Sequence, residues 1–375
     1  MKKFINISTI SLLLFPMLIS CSDNMGKTDK SLDAVSTLVE PADGKEVVLE
    51  ASNTASVYFE WAAVDEESSG TALYQIAFDK PEGDFSSPVY LLNSDNNGFQ
   101  NHVTISHKLL NQIAGLAGIG TSETGILKWT VFSTKGLKKI KSSAENGITI
   151  TRLAGFEVVP IDVYVTGEAS EGGTDLSKAP KMKAVAGGEF EIYTYLKGGQ
   201  SFHFTDGMRT FYTAEGLVKE NGTSTVEKDG VYRITLDFNT GACTYTLVNR
   251  IGFYFSPQGE ILFGLPYVGY GVFQAKATVT FKQESWGRDE RYKFRMFVQE
   301  NGGADPEKEL EWGTLNSTDS RPNASSPDSY YYMKLFDNLS QWENKWKLNG
   351  AFDGVEATYT VYLTADGPYT HSISL

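Results

Sequence analysis

The stretch from Tyr232 to Leu247 constrains the chain most. Tyr232, Ile234, Leu236 and Phe238 alternate with other residues, Asn239-Thr240-Gly241 supplies a turn, and Cys243, Tyr245 and Leu247 alternate back. A period of two puts each apolar set on one face of a strand. Two such runs around a Gly-containing turn predict a β-hairpin. The same pattern recurs along the chain. Val57, Phe59 and Trp61 share a face, as do Tyr74, Ile76 and Phe78, and Leu127, Trp129 and Val131. Ile161, Val163 and Val165 alternate, then Phe190, Ile192, Thr194 and Leu196, then Phe202 and Phe204. Turn chemistry at Pro41-Ala42-Asp43-Gly44 and Pro81-Glu82-Gly83-Asp84 separates the early runs. One helix is expected, capped by Ser106, with Leu109, Ile113 and Leu116 on its apolar stripe before Gly118. Short strands at this spacing predict an all-β chain of tandem β-sandwich domains, the amino-terminal one immunoglobulin-like.

With 375 residues the chain can hold several cores without covalent staples. Its 2 Cys cannot build a disulfide framework. A net charge of −13 repels phosphate backbones and excludes nucleic acid as a natural partner. The 4 His form no zinc spacing, and no metalloprotease, nucleophile-elbow or P-loop motif occurs, so no metal and no cofactor is expected. The run Asn93-Ser94-Asp95-Asn96-Asn97-Gly98 partly resembles the start of a calcium loop, but the closing Glu is missing and a polar turn is expected. Lys135, Lys138, Lys139 and Lys141 cluster on a predicted strand edge. A solvated edge is the first reading, contact with anionic headgroups or an acidic partner the second.

Lys2 and Lys3 precede an apolar run from Phe4 to Ile19, a signal-peptide pattern too short to span a bilayer. Leu18-Ile19-Ser20-Cys21 resembles a bacterial lipobox, which implies cleavage before Cys21 and its lipidation. Residues 1–20 are then the signal peptide and 21–36 a tether attaching the chain to a membrane. Residues 37–154 form the first domain, 155–249 the second and 250–375 the third. The third echoes the second: Phe253-Tyr254-Phe255 follows Val163-Tyr164-Val165, Tyr292-Lys293-Phe294 follows Phe202-His203-Phe204, and Gly271-Val272-Phe273 follows Gly188-Glu189-Phe190. Only the third carries a long polar insertion, from Asn301 to Lys347.

Taken in order, the lipobox, Leu38-Val39-Glu40-Pro41-Ala42-Asp43-Gly44, Val57-Tyr58-Phe59-Glu60-Trp61, Tyr74-Gln75-Ile76-Ala77-Phe78-Asp79 and Leu127-Lys128-Trp129-Thr130-Val131 resemble the SusE/SusF family of Bacteroidetes outer-membrane lipoproteins. Val163-Tyr164-Val165-Thr166-Gly167, Gly188-Glu189-Phe190 and Phe202-His203-Phe204 resemble the opening of that family's carbohydrate-binding sandwiches. The resemblance implies a lipid-anchored, cell-surface, non-catalytic protein that captures polysaccharide or oligosaccharide beside a SusC-like transporter and a SusD-like protein. Where similar proteins place Trp after the first strand of the middle domain, this chain has Gly172-Gly173-Thr174. That makes the middle domain a spacer or a weak binder. The insertion around Thr318-Asp319-Ser320-Arg321-Pro322 maps to no starch-binding pattern.

Capture of sugar needs flat aromatic faces for axial C–H groups and polar groups for hydroxyls. Trp286, Trp312, Trp342, Trp346, Tyr330, Tyr331, Tyr332 and Arg321 all lie in the third domain, which holds four of the chain's 6 Trp. Trp286 and Trp312, each beside Gly, are the preferred platforms, and the forked Arg321 is the preferred hydroxyl donor. Some of the group is expected to be core: Trp342 and Trp346 are one helical turn apart, and the tyrosines can alternate along a strand. Arg209, Phe211 and Tyr212 form a weaker second candidate site. Two other classes remain open, a secreted glycoside hydrolase, since acidic pairs abound, and an adhesin binding protein.

Overall fold

The computed structural model describes residues 32–375 apart from 53, 66–70 and 317–319. The expected lipidation site Cys21 and the leader lie outside the described residues, as do Thr318 and Asp319.

The first unit packs two sheets around one core. Leu38–Glu40, Ser56–Trp61 and His102–Ser106 form one sheet; Lys45–Val48, Asn146–Thr151, Thr124–Lys135, Leu73–Asp79 and Tyr90–Asn93 form the other, in that order. The alternating sets point inward as expected: Phe59, Trp61, Ile76, Phe78, Leu127, Trp129 and Val131 are wholly buried. Phe59 meets Trp129 and Phe78 edge-on, with ring centroids 5.1 and 5.5 Å apart. The helix forms at His107–Leu116, and Ser106 Oγ accepts from the Leu109 N–H. Its buried face is Leu110, Ile113 and Ala114, whereas Leu116 is exposed. Ile113 keeps its expected place, but the buried stripe turns from Leu109 and Leu116 toward Leu110 and Ala114.

The hairpin of the second unit forms in the register its alternation requires. Leu236 lies opposite Cys243, Ile234 opposite Tyr245 and Tyr232 opposite Leu247. Its second strand, however, continues unbroken from Ala242 to Phe255. The expected boundary at 249/250 therefore falls inside a strand. The first half of that strand pairs with Gly230–Asp237; the second half pairs with Glu260–Leu265 and Arg291–Gln299. One sheet of 14 strands consequently runs through both carboxy-terminal units.

The internal repeat is visible in pairing. Val165 faces Phe204 in the second unit, and Phe255 faces Tyr292 in the third. By the sequence match the two registers differ by two residues, a shift that keeps every side chain on its face. Gly188 and Gly271 share a φ of 76°, a left-handed conformation that favours Gly at the entry to both matching strands. A second sheet, Tyr267–Gly269, Val272–Thr278, Glu356–Tyr362 and Thr370–Ser374, closes the third sandwich.

The two carboxy-terminal units also share side chains. Tyr193, from the second, is buried in the third's core, with its ring 6.3 Å from Trp312 and 5.8 Å from Tyr369. Glu191 accepts from the Tyr369 O–H at 2.6 Å and pairs with Arg233. Glu171 accepts from Thr194 Oγ1, the Tyr267 O–H and the Tyr270 N–H at 2.7, 2.5 and 2.7 Å. These bonds satisfy carboxylates that would otherwise lose water at the junction.

The third core is closed by His371. The Tyr331 carbonyl can only accept, so the ring nitrogen 3.0 Å from it, Nδ1, carries the proton. Nε2 then accepts from the Tyr292 O–H at 2.8 Å. Burial pushes the imidazole pKa down to about 3. Because this lies below the value of an unfolded histidine, acid protonates the unfolded chain first, and stability is lost as pH falls from about 6.5 toward 3 at roughly 1.4 kcal/mol per pH unit. Between pH 7 and pH 5 the unfolding free energy from urea titrations is expected to drop by about 2 kcal/mol more in the native protein than in a His371→Gln variant. Equal slopes in the two proteins would contradict this assignment.

Candidate functional site

The candidate site is built on the outer face of the third sandwich. Lys282–Glu284 pairs with Gly287–Asp289, with Glu284 opposite Gly287, so Ser285 and Trp286 make the turn. The Trp286 indole is 63% exposed at that tip. Large apolar surface in water is unfavourable, and a two-residue turn does not require it.

The strand Arg291–Gln299 supplies the floor. Tyr292, Phe294, Met296 and Val298 point inward and are wholly buried. Alternation sends Arg291, Lys293 and Arg295 to the opposite face. Register places Arg295 directly across from Glu311. Glu311 has no solvent exposure, and its carboxylate meets Lys293 Nζ at 3.1 Å and Arg295 Nη2 at 3.2 Å. The segment Ser340–Asn344 lies over these charges. The Ser340 N–H donates to Glu311 Oε2 at 3.1 Å and Asn344 Nδ2 to Oε1 at 3.3 Å. The Ser340 carbonyl accepts from Lys293 at 2.9 Å and Arg295 at 2.7 Å, and the Glu343 carbonyl accepts from Lys293. Burial lowers the Lys293 pKa despite the facing carboxylate.

Trp342 is the outward member of this pinned segment. Ser340 Oγ accepts from the Trp342 and Glu343 N–H groups at 3.2 and 3.0 Å, shaping the turn. The Trp342 indole is 41% exposed. The Arg291 guanidinium carbon sits 4.4 Å from its ring centroid and 5.9 Å from that of Trp286. Asp289, only 1% exposed, holds this guanidinium through Nε and Nη2. Burial raises the carboxyl pKa of Asp289, but the hydrogen bonds and charge of Arg291 outweigh it and hold the pKa below the usual value. The result is an oriented cation between two indoles that face water.

Several expected site residues are placed otherwise. Trp312, a preferred platform, is 2% exposed: on Lys308–Gly313 it alternates with Leu310 toward the core, where Tyr193 and Tyr369 cover it. Trp346 is 1% exposed and donates its indole N–H to the Tyr330 carbonyl at 2.7 Å. Neither can offer a face to sugar. Arg321 gives its fork to buried Glu290, with both contacts at 2.8 Å, which raises its pKa and occupies the donors expected to reach hydroxyls. Tyr330 exchanges hydrogen bonds with the Lys347 backbone, and burial pushes its phenol up to about 12. Tyr331 is half-buried, edge-on to Tyr330 and His371. Tyr332 is 38% exposed and bridges to Thr370, with no described contact to either exposed indole.

In the second unit Phe211 is wholly buried. Arg209 is tied to Asp206 and to the Val158 carbonyl, both at 2.8 Å, and Tyr212 lies against Gly222. These three make no open binding face. Sequence reasoning missed Arg291, Asp289 and Glu311. The available signal was Arg291, Lys293 and Arg295 at every second position, which marks one polar face of a strand.

Compared with known families, residues 22–132 match the one described as SusE outer membrane protein. Over that stretch the chain is SusE-like. The family places it at the outer membrane. Among solved structures, SusF from Bacteroides thetaiotaomicron aligns over 91% of this SusE-like chain and 76% of its own, at 14% identity and a TM-score of 0.25. No curated protein matches. Among the described residues no helix is long and apolar enough to cross a membrane.

The burial contrast has a direct test. Trp312→Ala should open a core cavity and lower the melting temperature by roughly 10 °C, whereas Trp286→Ala should leave it within about 2 °C. Scanning calorimetry of the two variants checks both values.

Proposed function

We propose that this SusE-like chain is a non-catalytic glycan-binding lipoprotein, anchored through Cys21 and displayed on the cell surface. It captures polysaccharide or oligosaccharide there, beside a SusC-like transporter and a SusD-like protein. The observation that carries the reading is the pair of exposed indoles, Trp286 and Trp342, about one guanidinium. Indole faces exclude water from the C–H face of a sugar ring, and the guanidinium, held by Asp289 through Nε and Nη2, fixes the position of the rings about it. Arg291 is oriented by Asp289, and Trp342 is held by the Glu311 cluster, so little order has to be gained on binding. Arg288 is matched by Asp353 and Lys282 by Glu284, as Arg291 is by Asp289. This balance suits hydroxyl-rich, uncharged sugar.

Capture is favoured over cleavage because the buried carboxylates at the site are committed to cations: Asp289 to Arg291, Glu290 to Arg321 and Glu311 to Lys293. A glycosidase pair needs one carboxyl that protonates a leaving group and one that attacks or activates water. Many anchored copies would raise retention of a long polymer without any new contact.

A glycan array on the native chain, followed by affinity electrophoresis on its best ligand, tests the reading. Trp286→Ala and Trp342→Ala should each weaken retention by about 2 kcal/mol, roughly thirtyfold, without product release. Retention unchanged in both variants, or sugar release by the native chain, overturns it.

A further inference from the structure

A cavity of about 770 Å³ lies away from the indole pair, in the side of the second unit. It opens at an uncovered stretch of sheet edge. The strand Ala242–Phe255 has Gly230–Asp237 along one edge, in register from Ala242 to Val248. Its other edge is paired at Ala242 by Leu217 and at Leu247 by Gln299. Between those two points no strand among the described residues pairs with it. The Cys243 N–H donates to the Gly216 carbonyl on that side at 2.9 Å. Backbone groups alternate in direction along a strand, so the N–H and C=O of Tyr245 point the same way, into the cleft. Those of Thr244 and Thr246 point back to their register partners, Thr235 and Arg233.

The side chains around this edge are already engaged. Tyr245 Oη bonds Thr213 Oγ1 at 2.7 Å, and Thr213 Oγ1 bonds Ser224 Oγ at 3.0 Å. The Thr235 and Thr244 hydroxyls bond each other. The Arg233 guanidinium is given to Glu191. Lys228 Nζ donates to the Gly303 carbonyl at 3.1 Å, in the turn from the third unit that borders the cleft. Among the described residues that line it, the only aromatic ring is that of Tyr245, which packs edge-on to Phe202 and Tyr232. The cleft therefore lacks the flat face that sugar stacking needs. It offers one backbone donor and one backbone acceptor side by side. A residue of a second extended chain matches both at once, which makes an open sheet edge a template for strand addition.

We propose that this cleft binds an extended peptide segment of a partner protein, added as a short strand to the Tyr245 edge. From Cys243 to Leu247 the edge runs roughly 14 Å, room for about four residues. The residue opposite Tyr245 turns its side chain to the face of Cys243 and Tyr245, near the buried Val226, and is apolar. Its neighbours face Thr244 and Thr246 and are polar. Glu215 and Glu300 are met by Lys219 and Lys308, whereas Glu227 has no cation partner among the described residues, so one flank of the segment is basic. The cleft is separate from the indole pair and needs neither ring.

The probes are acetylated, amidated pentapeptides with Val at the centre, Thr on either side and Lys or Glu at both ends. By fluorescence anisotropy the native chain should bind the Lys-ended peptide at roughly 0.1 mM and the Glu-ended one at least about tenfold more weakly. Methylating the central Val nitrogen removes one rung and should cost at least about tenfold. Glu227→Lys, at an exposed position, should reverse the preference between the two peptides. Hydrogen exchange reads the edge directly. In the free chain the Tyr245 amide should exchange faster than those of Thr244 and Thr246, and saturating peptide should slow it at least about tenfold. No binding of either peptide, equal binding of the methylated one, an unchanged Tyr245 amide or an unchanged preference in Glu227→Lys overturns the proposal. So does protection of that amide by glycan, or by raised protein concentration alone, which would make a second copy the occupant.

Discussion

Glu311 sets the conditions for the outer face of the third sandwich. A carboxylate without solvent must be met by charge and by hydrogen bonds on every lone pair, or it costs several kcal/mol. Lys293 and Arg295 supply the charge from the neighbouring strand; the Ser340 N–H and the Asn344 amide supply the remaining donors. Those last two belong to a segment without regular structure, so satisfying one buried ion also positions a loop. Trp342 is presented to solvent because the residues on either side of it are held down.

Much of the β-architecture was legible because alternation is a local signal. The Tyr232–Leu247 hairpin, the buried Trp61 and Trp129 and the repeated pairing of the last two units follow from period two and turn residues. Exposure of single aromatics was not. Trp286 and Trp312 both sit beside Gly, yet one caps a turn and the other lies beneath Tyr193, contributed by the preceding unit. Nothing in the residues around Trp312 announces a cover that arrives from so far along the chain. The preceding Glu309 and Glu311 did carry a clue, since polar residues alternating with Leu310 and Trp312 in a strand leave those two the inward face.

Arginine shows the same divide. Arg321 looked free beside Pro322 and Ser320 but serves the buried Glu290. Arg291, which alternation puts on the polar face of its strand, is the one that stands between the indoles. Guanidinium groups go where carboxylates are buried, and burial of Glu290 and Asp289 depends on how the Lys282–Asp289 hairpin folds over the sheet. The sequence lists the charges; only the packing says which of them are already taken.

The uninterrupted strand Ala242–Phe255 has a mechanical consequence. With a backbone ladder continuous through two sandwiches, and with Tyr193, Glu171 and Glu191 stitched across the seam, the outer two-thirds of the molecule turns as a single lever. The seam beneath it is tied by side chains, where Lys108 reaches Glu189 and Asp237 and Asn111 reaches the Asn239 carbonyl. Tension from a long polymer tugging on the indole shelf would be relayed undiminished down that beam, and the foot of the molecule would feel it as torque.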